Sequence, residues 1–205
     1  SNQNDPVAQY NLGYIYYSKI GPIKPTLCFS MNRTQVRYYF DSSKYNDKNC
    51  EKYVKKAIQY LILSSNKNFS MAQYQLGVIY YYGAYVTQDI NKAIYYFTLA
   101  ANQNNKDAQC ALGFIYLDGI FIKKDIGKAI HYLTLAANKN HAKAQYELGK
   151  YYYSTNKYLS RAINLFILSS TNGNIDATFS IGYLYHQGIC YKRDLKKSIY
   201  YYKLA

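Results

Sequence analysis

The chain has 205 residues and a formal net charge of +14, from 25 Lys and Arg against 11 Asp and Glu. It is 49% hydrophobic, which excludes a disordered chain, and 29 of its residues are Tyr. No apolar run approaches the roughly 20 residues that span a bilayer, and no signal peptide is visible. The charge has two readings. AT-rich coding favours Tyr, Lys, Asn and Ile together, and an acidic partner or surface would select the same excess.

Taken in chain order, one phrase recurs five times: Ala-x-x-x-Leu-Gly-x-x-Tyr. The first copy is Ala8, Leu12, Gly13 and Tyr16. After it comes a stretch from about residue 18 to 49 that carries Pro22, Pro25 and Tyr38-Tyr39-Phe40, and then Lys56-Ala57-Ile58. The second copy is Ala72, Leu76, Gly77 and Tyr80, followed by Lys92-Ala93-Ile94. The third is Ala108, Leu112, Gly113 and Tyr116, followed by Lys128-Ala129-Ile130. The fourth is Ala144, Leu148, Gly149 and Tyr152, followed by Arg161-Ala162-Ile163. The fifth is Ala177, Ile181, Gly182 and Tyr185, followed by Lys197-Ser198-Ile199. Successive glycines are 64, 36, 36 and 33 residues apart. A period in the thirties marks stacked two-helix units, none of which buries its apolar face alone.

Within the second copy, Ala72, Leu76, Ile79, Tyr80 and Gly83 recur at steps of three and four, which predicts one face of a helix. Gly77 sits in that helix at a cost of about 1 kcal/mol relative to Ala, so close approach of a partner helix is expected there. Gly83, Gly119 and Gly188 fall where a left-handed cap ends the first helix. Asp89, Asp125 and Asp194 fall where the second helix starts and are expected to cap it. Ala93, Ile94, Phe97, Ala100 and Ala101 then form its apolar face, and the small pair permits a tight crossing. Ala205 aligns with Ala100, so the last unit is truncated and more chain is expected to follow in the parent protein.

Read as Ala72-x-x-x-Leu76-Gly77-x-x-Tyr80-x-x-Gly83 and Asp89-x-x-Lys92-Ala93-x-x-Tyr96-x-x-x-Ala100-Ala101, the unit resembles the Sel-1-like repeat, a relative of the tetratricopeptide repeat. The resemblance implies an all-α fold: a right-handed α-α superhelix, or solenoid, of antiparallel helix pairs. Residues 1–205 then form one domain of five units, with 18–49 inserted between the two helices of the first. Two places depart from the pattern. The insertion lengthens the first unit by 28 residues, and the fourth unit runs from Gly149 to Arg161 in 12 residues where Gly77 to Lys92 takes 15. That fourth turn also lacks the Asp.

Catalytic chemistry has no foothold in this sequence. His131, His141 and His186 stand apart without Cys or Asp at metal spacing, and read as solvated helix and loop residues or groove residues. There is no phosphate loop, nucleophile elbow or Cys-x-x-Cys. No enzyme, cofactor or metal is expected. Cys28 and Cys50 bracket much of the insertion. A disulfide between them would close a 22-residue loop and add about 3 kcal/mol, and two reduced thiols are the alternative. Cys110 replaces a Tyr of its sister units and reads as a small apolar filler. Asn32-Arg33-Thr34 and Asn68-Phe69-Ser70 are glycosylation sequons, which an Asn-rich chain also produces by chance.

In repeats of this kind the first helices line the concave face. Aligning on the Leu-Gly pair places Tyr10, Tyr14, Tyr17, Tyr74, Val78, Tyr81, Cys110, Phe114, Leu117, Tyr146, Lys150, Tyr153, Phe179, Tyr183 and His186 there. This aromatic line suits an extended or helical peptide, and packing against the next unit is the competing reading. Lys123, Lys124, Lys192 and Arg193 occupy equivalent turns and would form a basic rim. The resemblance implies a non-catalytic scaffold or adaptor that binds one or more proteins. One family role is the lumenal adaptor of the endoplasmic-reticulum-associated degradation ubiquitin ligase, with which the sequons and the cysteine pair are compatible. Signalling and secreted-effector scaffolds are the alternatives. A basic solenoid that binds nucleic acid is the rival class, but no nucleic-acid fold signature accompanies the charge.

Overall fold

A computed structural model describes residues 4–18, 48–83, 86–156, 158–189 and 192–205, with only the backbone of 48–51. All regular structure among them is helical, in ten segments. These are α1 (Pro6–Ser18), α2 (Lys48–Asn66), α3 (Ser70–Tyr82), α4 (Ile90–Asn102), α5 (Lys106–Asp118), α6 (Ile126–Ala137), α7 (Ala142–Ser154), α8 (Leu159–Thr171), α9 (Ile175–Gln187) and α10 (Leu195–Leu204). They form two compact units, Ser1–Ala111 and Leu112–Ala205, with the boundary inside α5. The predicted insertion, residues 18–49, lies outside the described residues apart from its two edges in α1 and α2. The side chains of Cys28 and Cys50 lie outside them too.

The helix boundaries follow from local chemistry. Asp89, Asp125 and Asp194 each accept a hydrogen bond from the backbone N–H three residues on, at 2.9, 2.9 and 3.0 Å. Each bond satisfies one of the four unpartnered amides that open a helix. The N–H of Lys92 is the main reason the Asp89 carboxyl is held below its ordinary range, with the Lys92 side chain adding to it. In the fourth pair the cap position is Tyr158, whose side chain makes no capping bond, so the missing Asp is not replaced. Gly83, Gly119 and Gly188 end α3, α5 and α9 at φ of +65°, +67° and +69°, a conformation that costs L-residues with a Cβ 1–2 kcal/mol.

In the first unit, Val54, Ala57 and Leu61 of α2 share one core with Tyr17 of α1 and with Ala72, Leu76 and Ile79 of α3. Leu76 and Ile79, around the Leu-Gly phrase of α3, therefore pack on both helices of the pair before it. Gly77 lets α4 approach α3, since a Cβ there would stand 2.5 Å from Cδ1 of Phe97. In the second unit a Cβ on Gly113 would stand 2.6 Å from Cγ of Leu133, and one on Gly149 2.9 Å from Cε1 of Phe166. The recurring glycine thus makes room for one large side chain of the partner helix. Leu61 stands near Gly13 and Tyr202 near Gly182 in the same way.

Candidate protein-binding surface

The first-helix line predicted to carry contacts divides by burial. In the first unit Tyr14 is exposed, and Tyr10, Tyr74 and Tyr81 are half-buried. Tyr10 rests 5.3 Å from the Phe69 ring, and burial raises its hydroxyl pKa, helped by the neighbouring Tyr14 hydroxyl. Tyr74 leans on Phe97 at 5.8 Å; burial, then Asp107, raises its pKa strongly. Tyr81 meets Tyr82 edge-on at 5.0 Å. In the second unit Phe179, Tyr183 and His186 are exposed, and Leu117, Tyr146, Lys150 and Tyr153 are half-buried. Tyr146 and Tyr153 flank Phe166 at 5.8 and 6.4 Å.

Four positions do not line an open surface. Tyr17, Val78, Cys110 and Phe114 are buried. Tyr17 joins the core of α2 and α3, and burial pushes its hydroxyl up to about 12. Phe114 lies under the Nζ of Lys143 at 5.3 Å. Lys150 donates to the buried Oε2 of Glu147 at 2.9 Å and sits 5.2 Å over the Tyr146 ring. The basic turns remain in solvent, with Lys123, Lys124, Lys192 and Arg193 all exposed. His141 is not a plain loop residue: its Nδ1 accepts from the backbone N–H of Ala144 at 3.2 Å and caps α7.

A periodic feature of the same helices went unread in the sequence. The Tyr of the first phrase stacks on the Tyr of the second: Tyr16 on Tyr60, Tyr80 on Tyr96, Tyr116 on Tyr132 and Tyr185 on Tyr201, at 5.7–6.0 Å and within 8° of parallel. The Lys that opens the second phrase lies over the first ring each time, with Lys56, Lys92, Lys128 and Lys197 at 5.1–5.2 Å. In the fourth copy Leu165 replaces the second Tyr. Tyr152 there meets Tyr158 edge-on at 5.6 Å and keeps its cation, Arg161, at 4.9 Å. Burial is the first cause of the raised pKa of Tyr96, Tyr132 and Tyr185, with the stacked Tyr second in each.

A second unread feature is a buried glutamine after the Ala of the phrase. Gln73, Gln109 and Gln145 donate to the carbonyls of Ser65, Ala101 and Ala137 at 3.3, 3.1 and 3.0 Å. They tie each first helix to the end of the helix before it. Asn68, Asn104 and Asn140 take positive φ in the turns between, a role that Asn tolerates. Asn68 of the sequon thus has a backbone role in its turn.

The family model described as Sel1 repeat matches residues 6–24, 70–105, 106–141, 142–174 and 175–205. The chain belongs to the Sel1 repeat family. A putative Sel1-like repeat-containing protein, L21 of Acanthamoeba polyphaga mimivirus, is 34% identical over 97 residues, which are 44% of this chain and 17% of that protein. Among solved structures, a Sel1 repeat protein from Oxalobacter formigenes is 27% identical at a TM-score of 0.75, covering 98% of this chain and 71% of its own. The c5321 protective antigen of uropathogenic Escherichia coli, which displays an SLR fold, is 22% identical at a TM-score of 0.69, covering 97% of this chain and 45% of its own. The expected fold class, an all-α helical-repeat superhelix, is therefore the class found. Sel1 repeat proteins are in general scaffolds for protein interaction, and the fold is a non-catalytic one. Among the described residues no group of three His, Cys, Asp or Glu is placed to hold a metal, and no helix is long and apolar enough to cross a membrane.

Proposed function

We propose that the chain is a non-catalytic scaffold whose first helices take a segment of a partner protein on their aromatic line. The observation that carries this reading is the exposure of Tyr14 in the first unit, where Tyr10, Tyr74 and Tyr81 are half-buried, and of Phe179 and Tyr183 in the second, where Tyr146, Lys150 and Tyr153 are half-buried. Tyr gives a rigid contact area with a polar tip at low entropic cost, and such residues dominate binding energy at interfaces. The exposed basic turns at Lys123, Lys124, Lys192 and Arg193, with the net charge of +14, favour a partner segment bearing Asp or Glu beside its apolar anchors.

The test is capture of partners by the wild-type chain and by Tyr81→Ala/Tyr146→Ala/Tyr153→Ala, with helicity followed by circular dichroism. Loss of a defined protein partner at unchanged helicity supports the aromatic line. An unchanged partner moves the contact to the basic turns, and recovery of nucleic acid alone contradicts the scaffold reading. The narrower role, a lumenal adaptor in endoplasmic-reticulum-associated degradation, draws support from the exposed position of Asn68 in its sequon. An endoglycosidase-sensitive mass shift after secretory expression tests it, and its absence sends the scaffold to another compartment.

A further inference from the structure

The turns that join the two helices of each pair differ between the two units in a way the fold does not demand. Short connections make neighbouring helices antiparallel, so the starts of α6, α8 and α10 lie along one edge of the second unit. Residues 119–125 lead into α6 and 188–194 into α10, whereas the turn into α8 spans only 155–158. The two long turns close alike. The N–H of Asp125 donates to the carbonyl of Tyr116 at 3.0 Å, and that of Asp194 to the carbonyl of Tyr185 at 3.1 Å. Between the fixed ends of the first, Ile120 and Phe121 are 45% and 47% exposed, and Lys123 and Lys124 follow them into solvent. In the short turn Tyr158 is 52% exposed, and Lys192 and Arg193 repeat the basic pair before α10. The matching turn of the first unit closes through Asp89 on Tyr80 at 3.0 Å, yet has Thr87 and Gln88 where the lysines stand. Neutral residues therefore suffice to build this turn, and the basic pairs serve something else.

We infer that this edge of the second unit rests on an anionic membrane surface, with Ile120 and Phe121 entering the headgroup layer and the basic pairs of both long turns set against lipid phosphate. Charge identifies the occupant. Residues 112–205 hold 13 Lys and Arg against 5 Asp and Glu, and two of those acids, Asp125 and Asp194, are engaged as helix caps. Asp118 subtracts one charge beside the first tip, while Lys196 and Lys197 add two beside the second basic pair. Lys is a compact charge that meets phosphate without a fixed geometry. Shape points the same way. A projecting apolar tip needs a matching hollow on a protein partner, but none in a lipid layer that deforms around it. Tyr158 fits the same surface, because a ring with a polar tip is enriched where membrane meets water. The contact is peripheral and reversible, since it combines shallow apolar insertion with attraction of basic side chains to anionic lipid. It concerns the turns and not the first-helix line.

The experiment is co-sedimentation of the 205-residue chain with vesicles of phosphatidylcholine alone and of phosphatidylcholine with phosphatidylserine, at low and high salt. Wild type is expected on the phosphatidylserine vesicles only, and less so at high salt. Lys123→Gln/Lys124→Gln is expected to lose at least about tenfold in binding. Lys52→Gln/Lys106→Gln removes the same charge from exposed sites of the first unit and is expected to change binding by less than about twofold. The sequence has no Trp, so Phe121→Trp supplies a single reporter whose emission shifts to the blue on anionic vesicles. A wild type that ignores anionic vesicles, or that binds phosphatidylcholine equally, overturns the inference. So do equal losses from the two lysine pairs, or Phe121→Trp emission that stays unshifted on bound vesicles. Capture of nucleic acid or of an acidic protein through these turns, without vesicle binding, overturns it too. The first-helix line is scored separately, because Tyr81, Tyr146 and Tyr153 are unchanged in every variant.

Discussion

Leu76 and Leu12 hold the same place in the repeat, yet Leu76 is fully buried and Leu12 is open. Phe114 is likewise buried and Phe179 open, though these two stand at different places in the repeat. Leu is the residue at both positions of the first comparison, so the surroundings of the helix and not the residue type decide the exposure. This separates two kinds of aromatic side chain that sequence spacing alone merges: those that hold one helix pair to the next, and those that remain available.

The comparison is tested most severely by equivalent truncations. Leu76→Ala empties a fully buried site and is expected to lower stability by about 2–5 kcal/mol, whereas Leu12→Ala is expected to cost less than about 1 kcal/mol. Urea unfolding of the two variants measures the gap, and equal losses would break the distinction. Next in size, Gly77→Val places side-chain atoms where Phe97 stands and should cost about 1–3 kcal/mol. Gly127→Ala, at an exposed helix start with only Asp125 Oδ1 near its Cβ, should change stability by no more than about 0.5 kcal/mol. Thermal melts distinguish them, and a destabilised Gly127→Ala would show that helical glycines act through backbone conformation.

Smaller effects sharpen the contrast between regular pairs and the fourth. Asp125→Ala removes the cap of α6 and should cost about 1 kcal/mol, with the loss seen as faster amide exchange in the first turn of that helix. Tyr96→Leu, which copies the situation at Leu165, removes one stacked ring and should cost about 0.5–1.5 kcal/mol beyond its lost area. A double-mutant cycle with Tyr80→Leu isolates the stacking energy, and a coupling near zero would reduce the parallel rings to a by-product of helix spacing.

Much of the fold was legible because it is periodic. Gly77 with Phe97, the Asp caps and the glycine ends each follow from a residue type with one physical use at one offset. The aromatic line was legible only in part. Spacing put Tyr74 and Tyr81 on one face with Val78, but it could not say that Val78 and Phe114 are buried, since burial is set by packing between elements. The Tyr80–Tyr96 stack with Lys92 was present as two recurring phrases. Their coupling became visible only when the helices were paired in space. Gln73, Gln109 and Gln145 offered a signal of their own: a polar residue at one fixed place in an apolar helix. His141 escaped because a histidine cap looks, in sequence, like any loop histidine.

The most direct measurement is hydroxyl-radical footprinting of the wild-type chain, read residue by residue by mass spectrometry. The account predicts fast oxidation at Leu12, Ile15, Phe179 and Tyr183 and slow oxidation at Leu76, Ile79 and Phe114. Similar rates in the two sets, after correction for intrinsic reactivity, would contradict it.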